Sequence, residues 1–111
     1  MKEHDKERSE AKKEMEKAAN DGIKKLTMEN SILLIFLFKL KELLRKIEKF
    51  KALGRKSKVE ELEKSLEAFE GLIDKKYWDQ DALFYISMAI MCNVAKSLKE
   101  AISMYENFKN S

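Results

Sequence analysis

The sequence predicts an all-α fold, an antiparallel up-down-up-down bundle of four helices in which the first helix is only weakly apolar. Proline is absent, and glycine occurs only at positions 22, 54 and 71. The composition is rich in Leu, Glu, Lys and Ala, which favour helices, and runs of β-branched residues are few. Apolar residues recur at helical spacing, and no hairpin dipeptide joins alternating segments. At 111 residues, the chain is expected to form one domain over residues 1–111.

The first helix is predicted over about residues 3–19, where charged side chains dominate. Six acidic and six basic residues between positions 2 and 19 leave one short row of apolar side chains, which we call the apolar line: Ala11, Met15, Ala18 and Ala19. This line buries little area, but its small side chains permit close approach to a neighbouring helix. Asn20 and Gly22 tolerate positive φ angles, so the helix is expected to end there.

The second helix is predicted over about residues 28–53, between an N-cap at Thr27 and a terminating glycine at Gly54. Its second half is amphipathic, with one apolar stripe formed by Leu40, Leu43, Leu44, Ile47 and Phe50. Extending the stripe towards the N-terminus, at about 100° per residue, adds Ile32, Leu33, Phe36 and Leu37. The same extension leaves three large apolar residues on the opposite side: Leu34, Ile35 and Phe38.

The third helix is predicted over about residues 57–75. Ser57 and Glu60 fit the capping-box pattern S-x-x-E, which marks a helix start. One apolar seam follows, formed by Val59, Leu62, Leu66, Phe69 and Leu72 or Ile73. Gly71 falls within this span and costs about 1 kcal/mol relative to alanine in a helix interior, so loosening near the helix end is expected.

The fourth helix is predicted over about residues 80–108, with Asp79 or Asp81 as the N-cap. Its second half keeps a single apolar stripe: Val94, Leu98, Ala101, Tyr105 and Phe108. In its first half, three further residues project from the outer side, namely Tyr85, Met88 and Cys92. Asn93 lies near the edge of the stripe, either as one polar group at the core boundary or as a hydrogen-bonding group in an interface.

Short connections make successive helices antiparallel, so the second and fourth helices are expected to run in the same direction. The surplus apolar residues of both helices then lie at similar heights. They form a predicted partner-binding surface of six residues: Leu34, Ile35, Phe38, Tyr85, Met88 and Cys92. The alternative is that the first helix covers this surface and completes the bundle.

These observations predict a non-enzymatic protein-interaction module or scaffold. It is expected to bind a protein partner, or a second copy of itself, through the second and fourth helices. The alternatives are a carrier of a small apolar ligand between the helices and a structural homo-oligomer. The regular Glu/Lys surfaces and helix starts of residues 2–19 and 55–76 are typical of engineered bundles as well as natural ones.

Motifs for catalysis, metal binding and cofactor binding do not appear in the sequence, so no cofactor is expected. His4 is the only histidine, and Cys92 is the only cysteine and has no histidine partner in a recognisable motif. The segment from Lys39 to Lys58 contains nine basic residues, and the next segment, from Val59 to Lys76, contains six acidic residues. Attraction between neighbouring helices explains this asymmetry, and nucleic-acid binding is not expected. An anionic membrane surface is the alternative partner for the basic stretch.

The longest unbroken apolar run, Ile32 to Phe38, has seven residues, whereas a membrane-spanning helix needs about 20. A soluble protein is therefore expected. A single cysteine cannot form an internal disulfide, which favours a reducing compartment such as the cytoplasm.

Overall fold

The computed structural model describes residues 2–111, with side chains from Ser9 onward, and confirms the predicted all-α class. Within that range the chain forms five helices rather than the predicted four, and the up-down-up-down bundle is not confirmed. They are α1 (Lys2–Lys24), α2 (Met28–Ala52), α3 (Lys56–Leu66), α4 (Gln80–Met91) and α5 (Leu98–Asn110). Two short 3-10 turns, Glu67–Phe69 and Lys75–Tyr77, lie between α3 and α4.

Helix α1 continues to Lys24, five residues beyond the predicted end. Gly22 does not end the helix but is buried against the last turn of α4, where a Cβ atom would lie 2.7 Å from the Cα atom of Cys92. Between Ser9 and Asp21, only Ala19 is partly shielded from solvent. The radius of gyration is 16.5 Å, against about 13 Å for a compact domain of this length. Helix α1 therefore contacts the rest of the protein near its C-terminal end and projects away from it.

Both predicted ends of α2 are confirmed. The Thr27 side-chain oxygen accepts a hydrogen bond from the Asn30 backbone N–H at 3.1 Å. At the other end Gly54 has a φ of 71°, and the Arg55 N–H donates to the Phe50 carbonyl at 3.0 Å. These bonds form a Schellman motif, which satisfies the last carbonyl groups of the helix.

The buried stripe of α2 is rotated in its first half relative to the prediction. Leu34, Leu37 and Leu40 are buried, whereas Ile32 and Phe36 are exposed. The prediction placed Leu34 outside the core and was wrong, because Leu34 is buried. It placed Ile32 and Phe36 inside the core and was wrong for both, because they are exposed. Helix α3 packs against the second half of α2, whereas α4 packs against the first half. The buried stripe therefore turns around α2 between the two halves instead of continuing straight along it.

Helix α3 ends at Leu66, nine residues before the predicted end. Its N-cap is Arg55, without a hydrogen bond from a capping side chain, so Ser57 lies inside the helix and the predicted capping box does not form. After the 3-10 turn Glu67–Phe69, Gly71 lies in a turn. The indole N–H of Trp78 then donates to the Ile73 carbonyl at 3.1 Å, which holds the connection to α4 in place.

The predicted fourth helix is interrupted and forms α4 and α5. Asn93 has a φ of 59°, and the Val94 N–H donates to the Ala89 carbonyl at 3.0 Å. This is the same end motif as at Gly54, with asparagine in the left-handed position. The Ser97 side chain then accepts a hydrogen bond from the Glu100 N–H at 3.1 Å and starts α5.

Helix α4 runs antiparallel to α2, so the prediction that these helices run in the same direction was wrong. Near the start of α4, the Gln80 side chain donates to the Lys41 carbonyl at 3.0 Å. Beyond its end, the Lys96 carbonyl accepts a hydrogen bond from the Asn30 side chain at 3.0 Å. The connection between α3 and α4 returns from beside Phe36 to beside Lys41, so α4 runs in the same direction as α3. The core lies between α2, α4, α5 and this connection.

Candidate partner-binding surface

The main apolar surface of the protein lies on the first half of α2. Five large apolar side chains between positions 28 and 38 each expose 42% to 80% of their area. At about 100° per residue they spread over about 160° of the solvent-facing side of the helix, with Phe36 and Phe38 at its two edges. We call this surface the outer face of α2, and it comprises Met28, Ile32, Ile35, Phe36 and Phe38.

The early end of α3 leaves this face open. Helix α3 runs antiparallel to α2 after the Gly54 turn, and the turn that follows it reaches α2 near Phe36. The Phe69 ring lies there, with its centroid 6.4 Å from that of Phe36 in an edge-to-face arrangement. A helix extending to residue 75, as predicted, would have continued over the first turns of α2. Because the chain turns away after Phe69, Met28 is 80% exposed and Ile35 is 53% exposed.

A groove of about 450 Å³ borders the outer face. Ile32 and Phe36 form one wall, and Leu72 and Leu98 contribute apolar surface from the later part of the chain. The hydrogen bond from Asn30 to the Lys96 carbonyl ties together the two segments that flank it. The groove is shallow and open, and Glu29, Asn30, Lys96 and Ser97 complete its lining.

The six residues of the predicted partner-binding surface do not form one surface. Leu34 is 6% exposed and belongs to the core. Ile35 and Phe38 are exposed on the outer face of α2. The other three residues, two on α4 and one at its C-cap, are all half-buried: Tyr85, Met88 and Cys92.

Helix α5 accounts for the partial burial of Tyr85. The Tyr85 ring stacks on that of Phe108, with centroids 5.1 Å apart, and lies 5.6 Å from the Tyr105 ring centroid. The break at Asn93 lets α5 fold back onto α4 and supply these rings. Cys92 lies at the other end of α4, where Gly22 packs against its backbone.

Phe84 is an exposed residue of α4 that the sequence analysis missed. It is 54% exposed, and the Lys41 ammonium lies 5.0 Å from the centroid of its ring. Phe38 lines a cleft with Lys41 and Gln80, on the same side of α2. Phe84 therefore extends the apolar surface from α2 towards α4.

Three residues of the outer face were also missed: Met28, Ile32 and Phe36. The helical wheel assigned Ile32 and Phe36 to the core because it assumed one straight stripe along α2. A signal was present in the sequence, since Met28, Ile32, Ile35 and Phe36 have the spacing i, i+4, i+7, i+8, which defines one side of a helix.

Charged side chains border the C-terminal end of the outer face. The Lys39 ammonium lies 5.9 Å from the Phe36 ring centroid, and Lys46 pairs with Glu42 at 3.5 Å. Both members of that pair are exposed, so the pair contributes little to stability. Within the part of the chain whose side chains are described, no group of His, Cys, Asp and Glu residues could hold a metal ion.

The clearest perturbation of a titrating group lies away from this face, beside α5. The Tyr77 hydroxyl donates a hydrogen bond to the Glu106 carboxylate, which raises the pKa of Tyr77 above its ordinary value, and burial raises it further. The neighbouring Tyr77 side chain in turn raises the pKa of Lys76. This arrangement links the connection before α4 to α5, and it has no contact with the outer face that would give it a role in binding there.

The fold and the surface define an all-α protein with an exposed apolar helix face beside a groove. No protein-family model matches the chain, and comparisons with curated proteins and with solved structures found no match. Among residues 2–111, no helix combines the length and the apolar character needed to cross a membrane.

Proposed function

We propose that the protein is a non-enzymatic interaction module that binds a helical segment of a protein through the outer face of α2. The observation that carries the proposal is the concentration of five exposed large apolar side chains within eleven residues of one helix. Monomeric proteins rarely expose contiguous apolar patches of this kind unless the patch binds something. An amphipathic helix is the partner element that fits a straight apolar face with an adjoining groove.

The residue types on the face support protein binding. Phe and Met are enriched in the cores of interfaces, and Met adapts its shape to different partners. Ile35 lies near the centre of the face and has 53% of its surface exposed. The groove beside Ile32 and Phe36 offers a shallow site for an anchoring side chain, which is where binding energy concentrates.

A charge introduced at the centre of the face tests whether the face belongs to the folded core or to a binding surface. At a dilution where the chain is monomeric, Ile35→Glu is expected to leave the melting temperature within a few degrees of the wild type, because the side chain is already exposed. Lys64→Glu, on the exposed side of α3, is the control for a glutamate introduced away from the face, and it makes a larger charge change than Ile35→Glu does. A loss of stability with Ile35→Glu as large as that caused by Leu37→Glu, in the core, would contradict the proposal.

Photochemical cross-linking tests binding directly. A photoreactive phenylalanine analogue replaces Ile35 in the full chain, which is then irradiated in an extract of the cells that produce it. We expect a covalent adduct with a second polypeptide, which unlabelled wild-type chain reduces by competition. The same analogue at position 64 is expected to give no such adduct. Failure of the folded chain to form any adduct from position 35 would overturn the proposed function.

A further inference from the structure

We propose that the outer face of α2 binds α1 of a second copy of this chain, and that the two copies exchange their α1 helices in a symmetric dimer. This inference rests on the proposed function and names the partner. Two elements of the same chain carry it, because each presents an uncovered apolar side. One is the outer face of α2, and the other is the apolar line of α1.

The two surfaces match in spacing. The apolar line comprises Ala11, Met15, Ala18 and Ala19, and the outer face includes Met28, Ile32, Ile35 and Phe36. Both follow the pattern i, i+4, i+7, i+8, so each runs about 12 Å along one side of its helix. A pair of helices can therefore bring the full length of one surface against the full length of the other.

The two surfaces also match in side-chain size. The apolar line is made of alanines around a single long side chain, Met15, whereas every member of the outer face is large. Small residues opposite large ones let two helices approach closely and interdigitate. Met15 is 59% exposed and is flexible enough to enter the groove beside Ile32 and Phe36.

Opposite charges flank the two surfaces at one end, the C-terminal end of the outer face, whereas Glu29 lines the groove at its other end. Glu10, Glu14 and Asp21 share one edge of the apolar line, and they form no ion pair with another side chain that the structure describes. On α2, Lys39 lies next to Phe36 at the C-terminal end of the outer face. Complementary charges at the rim of an interface fix its register and speed its formation.

Helix α1 does not cover the outer face of its own chain. Gly22 lies against the backbone of Met91 and Cys92, which fixes the last turn of α1 at the end of α4. Met15 and Met28 are both exposed, so most of each surface is uncovered within one copy, although Ala19 is partly buried and Phe36 contacts Phe69. Isolated helices of this length are only marginally stable in water, so a partner for α1 would also stabilise the helix itself.

Reciprocal exchange uses both pairs of surfaces at once. The α1 helix of each copy binds the outer face of α2 of the other copy, which makes a closed arrangement with two-fold symmetry. The two contacts add their areas and avoid an open chain of copies. Stable interfaces bury about 1,600 Å² in total, and two helix pairs approach this value more readily than one.

The first test is the mass of the full chain, measured by light scattering after size exclusion over a wide range of concentrations. We expect a species with twice the 13.0 kDa mass of one chain. Ile35→Glu and Met15→Glu are each expected to raise the dissociation constant of the dimer by about 30-fold or more, the effect of losing a central interface side chain. Lys64→Glu is expected to leave it unchanged. A monomer at all concentrations would overturn the inference.

The second test distinguishes exchange from other dimers. In a Cys92→Ser background, a chain carrying Met15→Cys is mixed with a tagged chain carrying Ile35→Cys, and a short bismaleimide linker is added. We expect adducts between the two different chains, and few with Lys64→Cys in place of Ile35→Cys. Adducts that join only identical chains would overturn exchange. A monomeric adduct in the double variant, Met15→Cys with Ile35→Cys, would show that α1 folds onto its own α2.

The oligomeric state of the chain and cross-linking from position 35 together distinguish failure of the dimer from failure of the proposed function. If the chain is monomeric but position 35 cross-links to a different polypeptide, the outer face binds a protein and the exchange of α1 is wrong. If position 35 gives no adduct and the chain is monomeric, both fail. A cross-linked product of two identical chains, reduced by Met15→Glu, supports both.

Discussion

Gly22 of α1 lies against the backbone of Cys92 at the end of α4, with no space for a side chain between them. A Cβ atom on Gly22 would lie 2.6 Å from the carbonyl carbon of Cys92 and 2.7 Å from its Cα atom. Real Cβ atoms essentially never approach backbone atoms so closely. The contact therefore requires glycine, and it determines where α1 joins the rest of the protein.

The first prediction concerns this contact. In a helix interior, alanine is favoured over glycine by about 1 kcal/mol, so Gly22→Ala would stabilise an unhindered site. Overpacking costs about 1–3 kcal/mol, however, and displacing the last turn of α1 relieves it. The hypothetical Cβ meets backbone atoms, so the cost lies towards the upper end of that range and local opening becomes easier by about 1–2 kcal/mol net. We therefore expect trypsin to cleave after Lys24 or Lys25 about 5- to 30-fold faster than in the wild type.

Gly71→Ala is the control for this prediction. A Cβ atom at Gly71 would have no described atom within 4 Å. Replacing glycine at such a site is expected to be neutral or to stabilise the chain by up to about 1 kcal/mol, through the unfolded state. Equal cleavage rates for Gly22→Ala and the wild type would contradict the packing of α1 against α4.

The second prediction compares two identical sequence patterns. Ser57 and Ser97 both begin an S-x-x-E pattern, but only the Ser97 side chain accepts the hydrogen bond of a helix start. Ser97→Ala is expected to lower the free energy of unfolding by about 1 kcal/mol, the usual cost of losing an N-cap. Ser57→Ala is expected to change it by less than about 0.5 kcal/mol, as at an ordinary surface site. Urea denaturation of both variants measures the difference, and equal losses would contradict the assignment of caps.

The third prediction concerns alkaline pH and Tyr77. The native protein raises the pKa of Tyr77 above its ordinary value of 10.0, first through the hydrogen bond to Glu106 and then through burial. The folded state therefore keeps a proton that the unfolded chain releases. The resulting stabilisation is fully present below about pH 10 and is lost as the pH rises through the native pKa. The raised pKa of Lys76 acts in the same direction.

Melting temperatures measured at intervals from about pH 9 to 12 test this linkage. Tyr77→Phe is expected to flatten the decline in stability above pH 10, because the titrating hydroxyl is gone. Tyr105→Phe is the control, since it removes a neighbouring ring but leaves the bond from Tyr77 to Glu106 in place. An identical decline in the wild type and in Tyr77→Phe would contradict the proposed cause.

Local signals predicted the ends of α2 because backbone geometry there depends on single residues. Thr27 can accept the hydrogen bond of an unpaired N–H, and Gly54 can adopt a positive φ angle. The same chemistry was available at Asn93 and Ser97, which together end α4 and begin α5. Both lie inside the predicted helix of residues 80–108, because apolar residues at helical spacing form one stripe through both halves of that span, from Leu83 to Phe108. Asparagine adopts positive φ angles less often than glycine does, so its signal is weaker.

The candidate surface was predicted only in part. Ile35 and Phe38 were assigned to an exposed apolar patch, and the structure exposes both. Leu34 was assigned to the same patch, but it is buried where α4 packs against α2. A helical wheel places side chains around an axis, but it contains no information on which neighbouring helix lies on which side.

The sequence by itself determined that this protein is helical, where α2 begins and ends, and that more large apolar residues occupy its first half than one stripe can hold. These features depend on residue type and on spacing along one helix. Only the tertiary structure decided which of those residues are buried, because that depends on the early end of α3, the direction of α4 and the path of α1. Each of these follows from contacts between residues distant in sequence, such as Gly22 with Cys92 and Lys41 with Gln80. The outer face of α2 is open because α3 stops short of it and α1 leads away from it.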